Sequence, residues 1–367
     1  MAAQTPKPWQ PSGMLAGWRG LVRFWVAVLA ALGIGVGILE TLGPPMRPEI
    51  AAPVPLVRSD PRPALIPAPP DLKGRTAARI PFPRERPGRD TPGPTTDPDP
   101  GLLEPDPVAP NLKLPRIGVE GRTPMGAYAA GFDPTSQRPR VGILIAGIGM
   151  SEADSLAAIK NLPGGVTLAI SPYATNTDRL LAAARMTEHE YLLSIPMEPR
   201  EYPANDPDDH HALMTSLSPA ENLKRLRWTL SRVAGYVGIT SALGPMRGER
   251  LAGVSDQFDA VLDEVAHRGL LFVDARTGQP PLHRAWNRSA DVMIDDDPID
   301  AEALDQRLDA LTRIARDKGT ALGIVSIPRP VTLERIAAWT NTLAAKGLAL
   351  APVSALVLPP ATQEQEK

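Results

Sequence analysis

The chain contains no cysteine. Disulfide frameworks, thiolate zinc sites, iron–sulfur clusters and cysteine nucleophiles are therefore excluded, although the compartment is not fixed by this. It also lacks a charge excess, with 39 Lys+Arg against 41 Asp+Glu for a net of -2. That argues against nucleic acid as a partner, because phosphate backbones call for a basic face. No glycine-rich phosphate loop is present, since the run Ala146-Gly147-Ile148-Gly149-Met150 lacks the GxGxxG spacing. No GxSxG nucleophile elbow occurs either. What the chain has in plenty is proline, 43 residues of 367, more than twice the usual frequency of about 5%.

The prolines are concentrated. From Pro44 to Arg140, 24 of 97 residues are proline. Proline removes amide donors and fixes φ, so the composition predicts a semi-extended, disordered linker over 44–140. Its last part, from Asn111 through Tyr128 and Phe132, carries apolar residues. That piece is either more linker or an arm packed on the domain that follows.

Ahead of the linker, Phe24 to Leu39 runs sixteen residues without a charge. A helix of that length rises about 24 Å against a bilayer core of about 30 Å, and flanking residues extend it to 21–43. Lys7, Arg19 and Arg23 precede it with no acidic residue. The positive-inside rule then leaves residues 1–20 as a cytoplasmic tail. The expectation is a single-pass inner-membrane anchor with the C-terminal part in the periplasm. A cleaved signal peptide fits less well, because Glu40-Thr41-Leu42-Gly43-Pro44-Pro45 is a poor cleavage site.

From Val141 the pattern alternates. Short β-branched runs predict strands at Val141–Ile145, Val166–Ile170, Tyr191–Ile195, Val237–Ile239, Leu270–Asp274, Val292–Ile294, Ala321–Ser326 and Leu350–Val353. Between them the spacing predicts helices over Glu152–Asn161, Thr177–Met186, Pro219–Val233, Asp256–Arg268, Ala301–Lys318 and Thr332–Lys346, with a weak segment near Leu282–Asn287. Ser151 with Asp154, and Ser218 with Glu221, read as N-terminal caps. Seven or eight such units over 141–358 fit a distorted (β/α) barrel, followed by a polar tail at 359–367.

A barrel places its chemistry at the C-terminal ends of the strands. Four runs there stand out: Val166–Ala174 (VTLAISPYA), Pro196–Pro199 (PMEP), Gly269–Thr277 (GLLFVDART) and Ala351–Leu356 (APVSAL). Taken in order, they resemble the divergent polysaccharide deacetylase family, and the resemblance spans roughly 141–358. It implies a carbohydrate esterase in which a divalent metal such as zinc, held by an Asp and two His, activates water while an aspartate acts as base. The matched positions depart from that pattern. The paired aspartates fall on Ala146 and Gly147, and the histidine after the fourth strand falls on Ala242. A later histidine falls on Ile327, and the one before PMEP falls on Ser194. Alanine, glycine and isoleucine side chains offer a metal no lone pair.

The polar residues left on that rim are Ser194, Glu198, Thr240, Ser241, Asp274, Arg276 and Asp295. Glu198 and Asp274 could face each other as a catalytic carboxylate pair, or Asp274 could simply pair Arg276. Ser194, Thr240, Ser241 and Arg276 are the candidate substrate contacts. No cofactor is expected unless the site has been rebuilt, in which case His210 and His211 in the acidic loop Asp206–His211 are the candidate metal ligands. The basic helix with Lys224, Arg225, Arg227 and Arg232 around Trp228 is either a solvated face or a contact for an acidic polymer. Two functions follow. One is a periplasmic deacetylase-like domain that binds envelope glycan or a protein partner without turnover. The other is an active deacetylase with a non-standard site.

Overall fold

The computed structural model describes residues 24–30, 93, 95–208 and 210–360. Residues 24–30 are helical (α1). The rest of the expected 21–43 span, most of the linker and the end of the C-terminal tail lie outside the described residues. Among the described residues, no helix is long and apolar enough to cross a membrane.

Beyond residue 140 the strand–helix alternation follows the sequence pattern. The strands are β3 (Arg140–Ile148), β4 (Thr167–Ile170), β5 (Tyr191–Ser194), β6 (Gly238–Thr240), β7 (Leu271–Thr277), β8 (Asn287–Ala290), β9 (Val292–Met293), β10 (Thr320–Val325) and β11 (Ala349–Leu350). The helices are α3 (Glu152–Asn161), α4 (Thr177–Met186), α5 (Pro219–Leu230), α6 (Glu249–Ala252), α7 (Ser255–His267), α8 (Ala301–Lys318) and α9 (Pro330–Thr340). The starts of α3, α5 and α8 are fixed by side-chain caps. The hydroxyl of Ser218 accepts the Glu221 N–H at 3.2 Å, and the Asp300 carboxylate accepts the Ala303 N–H at 2.8 Å.

All strand pairs in this sheet are parallel, in the order β8-β7-β6-β5-β4-β3-β10-β9. β8 and β9 are consecutive in the chain, with only Asp291 between them. The first pairs β7 and the second pairs β10. One run of chain therefore serves both ends of the sheet and rolls it into a near-closed barrel. Asp291 fixes the changeover: its N–H donates to Leu322 O and its carboxylate accepts the Leu322 N–H, both at 2.9 Å.

β8 corrects the expected helical segment at Leu282–Asn287. The Asn287 side chain accepts the Leu282 N–H and donates to Leu282 O and Ala285 O. That folds 282–286 into a side-chain-organised turn and leaves Asn287 free to start a strand. The expected last strand is also shorter, ending at Leu350 before a 3₁₀ turn at Val353–Ala355.

Alternation along the strands creates two cores. Ile143, Ile145, Leu168, Ile170, Leu193 and Phe272 face outward against the helices. Leu144, Ala146, Ala169, Leu192, Val273 and Ile324 fill the barrel interior.

The floor of the barrel corrects the expected domain boundary at 140. Residues 95–139, read as linker with a packed arm as the alternative from Asn111 to Phe132, form the hairpin β1 (Leu103–Pro105) with β2 (Lys113–Pro115) and the helix α2 (Pro124–Tyr128). Leu102, Met125 and Tyr128 join the interior core from below. Each fully buried apolar side chain contributes about 1.5–3 kcal/mol, so this arm belongs to the domain.

Two charged groups hold the arm. Arg268, 4% exposed, donates to Pro115 O at 2.8 Å and pairs with Glu104 at 3.2 Å and Glu264 at 2.8 Å. Burial works against the Glu264 charge, but Arg268 and Arg227 hold its carboxyl below the usual range. Glu190, at the foot of β5 and fully buried, accepts four hydrogen bonds. One oxygen takes the Thr167 hydroxyl and the Ser354 N–H, and the other takes the Ala130 N–H and the Ser354 hydroxyl. Burial pushes this carboxyl up, and the hydrogen bonds pull it back only in part.

Candidate functional site

At the opposite end, the C-terminal ends of the strands form the barrel mouth. Its inner wall is made of small apolar side chains: Ala146, Ala242, Ala275 and Ala290, with Met293 beside them. Ser194 ends β5 on the same inward face as Leu192. It is fully buried, and its hydroxyl has no protein partner.

The two candidate catalytic carboxylates are held elsewhere, and no hydrogen bond joins them. Val273 and Ala275 point into the barrel, so Asp274 shares the outward side of β7 with Phe272. There it forms a bidentate pair with Arg276 (2.7 and 3.0 Å) and accepts the Arg276 N–H at 2.9 Å. The Arg276 guanidinium lies 5.4 Å from the Phe258 ring of α7. Arg276 is thus a partner for Asp274 rather than a free substrate contact.

Glu198 is 2% exposed, and its carboxylate receives Arg250 Nε at 3.0 Å and the Thr215 N–H at 2.5 Å. Its backbone N–H donates to Leu213 O, and its carbonyl accepts the N–H groups of Arg250 and Leu251. Glu198 therefore clamps the base of the loop 199–212 onto α6.

The hydroxyls nearby are likewise committed. Thr240 accepts the Ala242 N–H at 3.2 Å, and Ser241 accepts the Ala275 N–H at 3.0 Å. Asp295 accepts the Ser326 N–H at 2.7 Å and the Ile327 N–H at 3.0 Å, with Arg329 at 3.3 Å. It pins the loop after β10 against the loop after β9.

That second pin governs Gly147, whose φ is +76°. A Cβ there would stand 3.1 Å from Ser326 O and 3.4 Å from Pro328. At Gly149 (φ +94°) a Cβ would stand 2.2 Å from the Ala174 Cβ. Gly149→Ala should therefore cost about 2–4 kcal/mol from overpacking and a disfavoured backbone region. A denaturant midpoint unchanged from wild type would contradict this.

Of the positions that the resemblance matches to metal and base, four offer a metal no donor side-chain atom. Ala146 and Ala242 are interior hydrocarbon, Gly147 is hemmed in by the β10 loop, and Ile327 is apolar. Among the described residues, no group of three or more His, Asp or Glu side chains is placed to hold a metal ion.

The histidines are dispersed. His189 is buried at the barrel floor between Val166 O and Ile159 O, where desolvation holds it below the usual imidazole range. His211 lies in the loop after β5, with Nδ1 2.8 Å from Asp208 and its ring stacked 3.7 Å from that of Trp228. Asp208 also accepts the N–H of His210 at 2.9 Å. Burial opposes the Asp208 charge, but its bonds to His210, His211 and Tyr173 hold its carboxyl below the usual range.

The basic helix is largely occupied internally. Arg227 pairs Glu264, Arg225 donates to Ala212 O, and Arg232 Nε donates to Pro172 O. The residues that sequence reasoning missed are Glu190 and Asp291. Their roles arise from pairing across the barrel, and no local motif marks them.

The model of the divergent polysaccharide deacetylase family matches residues 143–357. The chain belongs to this family. Among solved structures, the chain is similar to an uncharacterized protein from Agrobacterium tumefaciens C58. The two share 30% identity with a TM-score of 0.62, over 67% of this chain and all of the other. A Mycobacterium smegmatis protein described as a candidate polysaccharide deacetylase aligns at 10% identity and TM-score 0.41, over 64% of this chain and 96% of the other. No curated protein matches.

Proposed function

We propose that this member of the divergent polysaccharide deacetylase family is a membrane-anchored, periplasm-facing protein that binds envelope glycan, or a protein partner, without removing acetyl groups. One observation carries the reading. The mouth that would hold metal and base is walled by Ala146, Ala242, Ala275 and Ala290, while Glu198 and Asp274 are neutralised by Arg250 and Arg276. Carboxylate oxygens already taken by a guanidinium and by backbone N–H groups are not aimed at a substrate proton. The anchor rests on the uncharged run at 24–39 and the basic residues before it.

A second reading has one observation of its own. Asp208 holds Nδ1 of His211, which leaves Nε2 as a base, the arrangement expected of a rebuilt site.

Zinc and cobalt titration of the full chain by calorimetry, alongside an acetate-release assay on acetylated envelope glycan, separates the two. The binding reading expects no stoichiometric metal and no release above the protein-free rate. Release above that rate would overturn it: loss in Glu198→Ala or Asp274→Ala would give a site rebuilt on the rim carboxylates, and loss in His211→Ala alone would move the chemistry to the loop after β5.

A further inference from the structure

The loop 199–212 leaves and re-enters the fold at one point. Met197 bridges Leu213, and Glu198 ties both ends to Thr215 and α6. Its far side is held against α5 by aromatic contact. The imidazole of His211 lies 3.7 Å from the Trp228 ring and nearly parallel to it, at 26°. Tyr173, from the loop after β4, packs 6.0 Å from the same indole, and its hydroxyl donates to Pro207 O at 3.3 Å. The guanidinium of Arg232 sits 5.2 Å from that indole as well.

The stack differs from ordinary core packing. His211 and Trp228 are only half-buried, and 36% of the His211 side chain is exposed. Nδ1 of His211 is taken by Asp208, so Nε2 is the polar atom left for a ligand. Arg232 is exposed and fixed through Nε to Pro172 O at 3.0 Å, which leaves its two terminal nitrogens as donors. A flat ring backed by an indole, an imidazole nitrogen on its edge and a pre-oriented guanidinium thus share one indole.

We propose that this cluster is a subsite for a sugar ring bearing a carboxylate. The ring would pack on the His211–Trp228 stack, the carboxylate would face Arg232, and a hydroxyl would meet Nε2 of His211. Flat aromatic surfaces take the apolar face of a ring, and guanidinium forks match carboxylates. The proposal rests on the glycan-binding reading and adds to it a place outside the barrel mouth and a charge preference.

The test measures binding of two probes to the full chain by calorimetry: the glucuronate–N-acetylglucosamine disaccharide, and neutral diacetylchitobiose. The expected result is that the carboxylated probe binds at least about tenfold tighter, the scale of one charge-assisted hydrogen bond. Arg232→Gln should erase that preference while leaving the melting temperature unchanged. His211→Ala should weaken both probes. Equal affinity for the two probes, or glycan binding that neither variant alters, would overturn this subsite and leave the glycan-binding reading standing. If neither probe nor intact envelope glycan binds, both fail, and a protein partner becomes the reading to pursue. Should a variant melt early, the salt dependence of wild-type binding decides instead, because a carboxylate–guanidinium contact must weaken with salt for the carboxylated probe only.

Discussion

Replacing Glu190 by alanine should destabilise the domain by about 3–5 kcal/mol, the largest effect expected of any single substitution here. Its carboxylate is the common acceptor for Ala130, Thr167 and Ser354, which come from the arm, from β4 and from the C-terminal turn. Alanine leaves two backbone N–H groups buried without acceptors, at about 1–3 kcal/mol each, together with two hydroxyls. Glutamine keeps the shape but must turn its NH2 towards either the Ala130 or the Ser354 N–H, so it should rescue only part of the loss. Chemical denaturation checks both variants, and an alanine variant within about 1 kcal/mol of wild type would refute the role.

The same residue gives a pH signature of definite sign. Burial raises its carboxyl above the ordinary 4.5. The folded state therefore binds this proton more tightly than the unfolded state. The resulting stabilisation is full below the ordinary value and is lost as pH climbs through the raised one. The stability difference between wild type and Glu190→Gln should shrink as pH rises across that window. A difference that grows instead would mean the four hydrogen bonds outweigh burial.

Arg268→Ala comes second, at about 3 kcal/mol. The guanidinium is almost wholly buried and bridges Glu104 of β1, Pro115 O of β2 and Glu264 of α7. Removing it leaves Glu264 buried with Arg227 as its remaining partner, and breaking one side of a buried pair is strongly destabilising. Lysine has one nitrogen where arginine has a fork, so Arg268→Lys should restore only one of these links. The distinguishing readout is local: limited proteolysis should open residues 95–123 in Arg268→Ala before the barrel. Cleavage spread evenly over the domain would show that Arg268 supports the barrel generally and not the arm.

That arm shows where the sequence was opaque. Helices α3, α4 and α8 were legible to the residue, because the 3.6-residue apolar pattern and, for α3, the Ser151 cap mark them locally. From Asn111 its apolar residues left linker and packed arm equally open, and before that its prolines dominate composition and hid it. Its order comes from three-residue strands and a few apolar side chains meeting a barrel floor distant in sequence. β8, with the residues Asn-Arg-Ser-Ala, has no apolar alternation at all. It is a strand because β7 stands beside it.

The candidate site divides along the same line. That the resemblance sets Ala146, Gly147, Ala242 and Ile327 at positions where it implies metal and base could be read directly. Asp274 looked like a rim carboxylate, yet strand alternation already placed it on the side of Phe272 and away from Val273. Glu198 could not have been assigned, since its partners Arg250 and Thr215 are local to the fold and not to the motif. Trp228 read as one aromatic in a basic helix, and only the return of the loop brings His211 onto it.

The changeover at Asp291 has a consequence for the protein's behaviour among its neighbours. A sheet that ends in an unpaired strand offers a row of amides and carbonyls on which another chain can build, the first step of domain swapping and fibril growth. Here the two ends of the sheet are successive pieces of one strand, and Leu358 pairs back onto Asn287 at the start of β8. A stranger's strand finds no long template, so a domain rich in short parallel strands is shielded from edge-to-edge self-association by its own connectivity.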